Sequence, residues 1–241
     1  MPILIKTDDF SIEQDEISPH LHTITAVHSS TTQLLFDSLI KTRILVGATT
    51  TTKTNTNRTK LVFTATSVTQ LKKRHSYNEG LQILFHLSKQ LHHLIENSNH
   101  CFLGYSPENT IIVDETKYFY LSTEHLQPIN PNNHIPITFP FSQDDFFLSP
   151  ELKKIKEIPS QVHFKTSYYS LACLILYSLT DSYHLEEQEE REEPEQIQQI
   201  QQEEPEQIQQ LNNLPIKETK LYWLLKRCLH PNPLLRSVAY L

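Results

Sequence analysis

Glycine is nearly missing from this 241-residue chain, where Gly47, Gly80 and Gly104 are the only three. None lies in the first two stretches that read as strands, so a G-x-G-x-x-G loop for cradling phosphates is excluded there. Cysteine is equally scarce. Cys101, Cys173 and Cys228 are odd in number, far apart and never spaced C-x-x-C, a pattern that fits a reducing, intracellular compartment. Long apolar runs are lacking as well. The longest, Leu171 to Leu179, is about half of the ~18 residues that a membrane span requires. The opening MPILIKTDDF turns acidic after four apolar residues, with neither a basic leader nor a small-residue cleavage site. There is no basic excess. The net charge is −7, yet residues 186–206 hold ten glutamates against one arginine, which leaves 18 acidic and 20 basic residues elsewhere. That neutral remainder gives no reason to expect nucleic-acid or membrane partners.

What is present divides into a strand-rich beginning and a helix-rich remainder. Ile3 to Ile5 and Leu21 to Val27 are rich in β-branched residues, with Pro19 and His20 as punctuation before the second. Ser29 to Thr32 offer N-cap hydroxyls, and Leu35, Phe36, Leu39 and Ile40 recur at helical spacing. Arg43 to Thr49 and Lys60 to Thr66 then read as a hairpin whose tip is the polar tract TTTKTNTNR. Further on, Leu81, Leu84, Phe85, Leu87, Leu91, Leu94 and Ile95 form one apolar stripe that ends at Asn97-Ser98-Asn99. Short strands are expected at Thr110 to Val113 and Tyr118 to Leu121, and a loop from Gln127 to Pro140. Tyr168 to Leu179 reads as a buried helix and Lys220 to Leu229 as an amphipathic one stopped by Pro231. Between these two helices stands a tandem repeat of 11 residues, EEPEQIQQIQQ from Glu192 and EEPEQIQQLNN from Glu203. Its composition is that of a low-complexity, partly helical or disordered segment.

Four stretches carry a more specific wording. Phe102-Leu103-Gly104-Tyr105-Ser106-Pro107-Glu108-Asn109 resembles the catalytic loop HRDLKPEN of eukaryotic protein kinases. Ser149-Pro150-Glu151 is similar to the Ala-Pro-Glu motif that closes their activation segment. Ser167 to Ala172 (SYYSLA) resembles the start of their buried large-lobe helix, and LLKRCLHPNPLLRS, ending at Arg236 and Ser237, resembles their closing pattern. The four occur in the family's order at plausible spacing. The resemblance implies an α+β, two-lobed kinase-like fold. Residues 1–78 would form a reduced, mostly β N-lobe and residues 79–241 a mainly helical C-lobe, interrupted at 184–213 by the acidic repeat as a flexible insert. It also implies that Glu151 and Arg236 form an ion pair, which is costly to break from one side alone.

The same resemblance exposes missing chemistry. Phosphoryl transfer needs an aspartate to orient the nucleophile, a lysine on the phosphates and carboxylate ligands for magnesium. Here the aspartate position is Gly104 and the loop lysine position is Ser106, so no residue is expected to be catalytic. Where the metal-binding Asp-Phe-Gly would begin stand Ser122-Thr123-Glu124. Asn109, Ser122 and Glu124 remain candidates for metal contact, and a hydroxyl is a poor magnesium ligand beside a carboxylate. His28 falls at the position of the phosphate-pairing lysine and joins Asn109 as a candidate for nucleotide binding, although an unperturbed histidine is mostly neutral at pH 7. Asp37 could stand for the helix glutamate that pairs with that lysine. His86, His92, His93 and His100 fit a solvated helix face better than a metal site. Ser167 and Ser170 have no adjacent base in sequence.

These readings converge on a pseudokinase, a catalytically inactive kinase homologue acting as a protein-binding or scaffold module. No cofactor is expected, and the partner would be another protein. Two other readings stay open. A divergent active Ser/Thr kinase would bind ATP and Mg²⁺, whereas a structural or assembly protein would reuse the fold. The style of the composition, with few glycines and many Thr, Asn and Gln, resembles kinase-like proteins of large DNA viruses. That resemblance implies the host cytoplasm or a virion as the location.

Overall fold

Alternation of β-branched and polar residues builds the first part of the molecule. The computed structural model describes residues 2–53, 57–142, 146–180 and 206–238. Strands β1 (Ile3–Lys6), β2 (Phe10–Gln14), β3 (Leu21–Val27), β4 (Thr49–Lys53) and β5 (Arg58–Thr64) form one antiparallel sheet in the order β1-β2-β3-β5-β4. Helix α1 (Ser30–Lys41) connects β3 to β4, and the Ser29 hydroxyl caps it by accepting the Thr32 N–H at 3.0 Å. Its Leu35, Phe36 and Leu39 are fully buried, in one cluster with Ile12, Ile24 and Leu61 of the sheet. Burying such side chains is worth about 1.5–3 kcal/mol each, so α1 is fixed to the sheet by packing more than by its cap.

The expected hairpin exists, but Arg43 to Thr49 is not its first strand. Arg43 and Gly47 adopt left-handed φ values of 57° and 72°, which a strand cannot contain. Ile44 and Leu45 are instead buried beyond the end of α1. The strand is made by the threonine tract, whose branched side chains suit an extended edge. Strand β2 leaves little trace in the sequence because its FSIEQ alternation is short.

The second part surrounds two helices. Helix α2 (Tyr77–Ser98) begins with a capping box, in which the Ser76 hydroxyl accepts the Glu79 N–H and the Glu79 carboxylate accepts the Ser76 N–H at 2.6 Å. It ends at Asn99, left-handed with φ 52°. Helix α4 (Thr166–Leu179) has twelve of its fourteen residues buried, which makes it the central post that its composition predicts. Around them run β6 (Val68–Gln70), β7 (His100–Phe102), β8 (Thr110–Val113), β9 (Lys117–Tyr120), β10 (Leu126–Pro128), β11 (His134–Ile137), α3 (Pro150–Lys153) and β12 (Ser160–His163). They pair as β6-β8-β9, β7-β10 and β11-β12, all antiparallel. The expected loop from Gln127 to Pro140 therefore contains most of β10 and all of β11. Ile135 and Ile137 point into the core while His134 and Pro136 stay half-buried, an alternation that the prolines concealed.

Two further helices follow, α5 (Glu206–Asn213) and α6 (Lys220–Cys228), and after them a 3-10 turn at Pro233–Leu235. Of the segment 184–213 expected to be flexible, 184–205 lies outside the described residues, but 206–213 is a packed helix. Ile208 and Leu211 of the second repeat copy are buried, and α5 touches both α4 and α6. The buried side chains of the described residues form one continuous cluster. Cys101, Cys173 and Cys228 are all free thiols inside it, and burial pushes each thiol up to about 12.

Candidate functional site

The loop between β7 and β8 is fastened from three directions. From α4, the Ser167 hydroxyl donates to the Phe102 carbonyl, and the Ser170 hydroxyl accepts the Tyr105 N–H at 2.7 Å. These are the two serines that lack a base in sequence; their work is to hold backbone. From β9, the Tyr120 hydroxyl accepts the Ser106 N–H at 3.1 Å and pairs with His125 Nδ1 at 2.6 Å. The turn itself closes through Thr110, whose hydroxyl donates to the Ser106 carbonyl at 2.8 Å and whose N–H donates to Pro107. Gln70 of β6 donates to the Glu108 carbonyl at 2.8 Å.

Aromatic rings fill the space inside this frame. Phe102, Tyr105 and Tyr120 are fully buried, with ring centroids 4.7–5.4 Å apart. His125 stacks on Tyr120 and meets Phe146 edge-on at 4.8 Å. Burial raises the Tyr105 and Tyr120 hydroxyls well above the ordinary tyrosine range, so both stay neutral; hydrogen bonds from Ser106 and Asn109 only partly offset this at Tyr120. The Tyr105 hydroxyl has no hydrogen-bond partner among the described residues.

Phe146 decides what position 104 can carry. A Cβ placed on Gly104 would lie 1.9 Å from Phe146 Cδ2 and 2.6 Å from its Cε2. The ring is itself buried at 5% exposure, so it cannot swing into solvent at small cost. A side chain at position 104 would have to displace that ring.

A second closure comes from the sheet. Asp9, in the turn between β1 and β2, receives three hydrogen bonds from the loop after β9. Ser122 Oγ donates at 2.8 Å, the Thr123 N–H at 3.0 Å and Thr123 Oγ1 at 2.8 Å. Hydrogen bonds to a charged acceptor contribute roughly 1.5–3 kcal/mol each. The turn is thereby held down on the loop.

The sequence candidates are scattered by this arrangement. Ser122 is brought to Asp9, and its hydroxyl also accepts the His125 N–H at 3.2 Å. Asn109 lies at Tyr120, as the effect on that hydroxyl indicates, and its backbone carbonyl accepts the Leu121 N–H. Glu124 is exposed and its backbone carbonyl accepts Gln127 Nε2. His28 sits at the exposed end of β3, where its ring meets Thr59 at 2.8 Å and its N–H meets Asn57. Asp37 accepts from Gln33, one turn back on α1. His86, His92, His93 and His100 take separate partners, Gln82, Glu96, Asn97 and Ser98. Among the described residues no group of three metal-ligating side chains occurs.

Glu151 and Arg236 do meet. Arg236 is 0% exposed, and its Nη1 and Nη2 reach Glu151 Oε1 and Oε2, the latter at 2.8 Å. Its remaining donors go to the carbonyls of His230, Pro231 and Lys165, and its plane lies over the Tyr169 ring at 4.9 Å. Sequence reasoning missed Asp9 and Phe146. The Thr7-Asp8-Asp9 turn and the Phe146-Phe147 pair were visible as letters, but contacts with residues so distant in the chain leave no local pattern. A scan of protein-family models gives no match for this chain, and a search of curated proteins gives none either.

Proposed function

We propose that this chain is a catalytically inactive homologue of protein kinases that works as a protein-binding module. The observation that carries the reading is the Phe146 ring seated on Gly104. Phosphoryl transfer requires a carboxylate in that part of the loop to orient the hydroxyl nucleophile. Here the position has no carboxylate and no room for one. The order of elements supports the kinase resemblance: a sheet with one helix inserted, a long helix, the loop, a buried helix and a terminal arginine on the Ser-Pro-Glu glutamate.

The residues brought together do not fit a magnesium nucleotide. The Ser122 hydroxyl is committed to Asp9 and His125, and the Asp9 carboxylate already accepts three hydrogen bonds from Ser122 and Thr123. The groove lined by the β1–β2 turn and β3 measures about 150 Å³, against about 300 Å³ or more for small-molecule sites, and a roomier depression of about 420 Å³ beside the loop has Glu124 as the one carboxylate among its described lining residues.

The test is a melt of the purified chain with and without millimolar Mg²⁺-ATP, paired with a phosphate-transfer assay on generic substrates. A ligand at a hundred times its Kd stabilises by about 2.7 kcal/mol, a shift of several degrees for a chain of this size. The expected result is no shift and no labelling. A clear shift accompanied by transferred phosphate would replace this reading with that of a divergent kinase.

A further inference from the structure

Two depressions flank the segment Phe139-Pro140-Phe141, which forms a wall of both. The larger, about 420 Å³, is also lined by Leu103, Glu124, His125 and Phe146. The smaller, about 320 Å³, continues along Leu148, Lys153, Ile155, Lys156, Glu157 and Ile158. They share that wall, so they lie side by side and one extended ligand crossing Phe139-Pro140-Phe141 could reach both; the described lining of each is mostly apolar and aromatic. Phe139, Phe141 and Ile155 are half-buried, Pro140 is exposed, and Ile158 is 47% exposed. Apolar side chains left open to water in a concave surface are the usual anchor pockets of protein partners.

Charge distinguishes the two ends. Lys153, Lys154 and Lys156 are all exposed around the end of α3, and no described ion pair includes any of them. Among the described residues lining that depression, Glu157 is the one acidic side chain. At the other end the exposed charge is Glu124. An anionic ligand would gather at the lysine end, while the larger cavity, with Leu103, Phe139, Phe141 and Phe146 in its lining, accepts an uncharged side chain. Two concave cavities with an apolar floor do not suit a nucleic-acid backbone, whose affinity comes from many phosphate contacts, nor a flat lipid surface.

The geometry points to a peptide ligand: a segment of a partner protein that places an aromatic or leucine side chain in the cavity between His125 and Phe141 and lays acidic residues across Lys153, Lys154 and Lys156. This rests on the protein-binding reading above and names the chemistry of the partner.

Selection of random displayed peptides on the immobilised full chain tests it, followed by fluorescence anisotropy with the enriched peptide. Enrichment of sequences that join Phe, Leu or Trp to Asp and Glu is expected. Their binding should weaken at least tenfold in the triple variant K153E/K154E/K156E and in Ile158→Asp, and should fall as salt rises. The lysines are exposed, so an unchanged melting curve verifies that the triple variant is folded. A basic consensus, the absence of any consensus, or an acidic one that the triple variant still binds would overturn the proposal. So would tight binding of duplex DNA or phosphatidylserine vesicles that the triple variant loses while peptide binding is unaffected. The Mg²⁺-ATP melt on the same sample separates the two ideas. Lost peptide binding without nucleotide binding defeats the groove alone, and nucleotide binding with phosphate transfer defeats the inactive reading alone.

Discussion

Position 104 shows how one missing side chain can be a matter of space. Gly47 needs glycine's backbone freedom at φ 72°, but Gly104 is not in the left-handed region, so its backbone would tolerate alanine. The obstacle is Phe146. Gly104→Ala is expected to destabilise the native chain by about 1–3 kcal/mol through overpacking, and to cost almost nothing once Phe146→Ala has removed the ring. Urea unfolding of the four members of that cycle measures the coupling; equal losses in both backgrounds would refute the steric account. Arg236 supplies the opposite case, a side chain that is needed. Glu151→Ala would leave a fully buried guanidinium with only carbonyls and the Tyr169 ring around it, at a cost of about 3–5 kcal/mol. Urea unfolding showing a loss below about 1 kcal/mol would place the pair among ordinary surface bridges. Glu151 and Arg236 were legible in the sequence because each belongs to a short motif. Phe146 and Asp9 were not, since a lone phenylalanine and a turn aspartate look the same whatever they touch.

Among the elements, helices were easier to read than strands. The α1, α2, α4 and α6 patterns each contain caps or a long apolar stripe, and each helix forms near its expected limits. Strands β2, β6 and β11 are short enough that two or three alternating residues are their whole signature. The repeat misled for a related reason. Its composition argues against a core, yet Ile208 and Leu211 at helical spacing suffice to bury one face of α5. Helix α2 is held by its ends and its middle: in the middle the buried Gln90 amide donates to the Tyr120 carbonyl and accepts the Tyr120 N–H, both at 2.9 Å. At its start, hydrogen bonds from the Ser76 hydroxyl and then the Ser76 N–H hold the Glu79 carboxyl below its usual 4.5. A depressed folded value means that this contribution is full above pH 4.5 and is lost as pH falls through the folded pKa. Melting temperatures of the native chain and Glu79→Gln should therefore differ most at neutral pH and converge in acid. A difference that persists unchanged well below pH 4.5 would show that the charge contributes nothing.

At the scale of the molecule, the sequence of strand-rich and helix-rich parts followed from composition and periodicity, because burial patterns are local, and the α+β class was what the resemblance implied. How the parts close on one another did not follow. That depends on contacts such as the three hydrogen bonds to Asp9 and the packing of α1 against α2, which only the assembled chain brings together. Among the described residues no helix is long and apolar enough to cross a membrane. The continuous core has a practical consequence through its three thiols. With each at least 97% covered and pushed up to about 12, almost no thiolate exists at neutral pH, and a maleimide has nothing to attack. The folded chain should keep its unlabelled mass during a short maleimide pulse and gain three adducts when urea opens it. A single rapid adduct under native conditions would reveal a local opening at one helix instead. Counting adducts by intact mass would then report, molecule by molecule, how often the whole fold comes apart, with no engineered probe required.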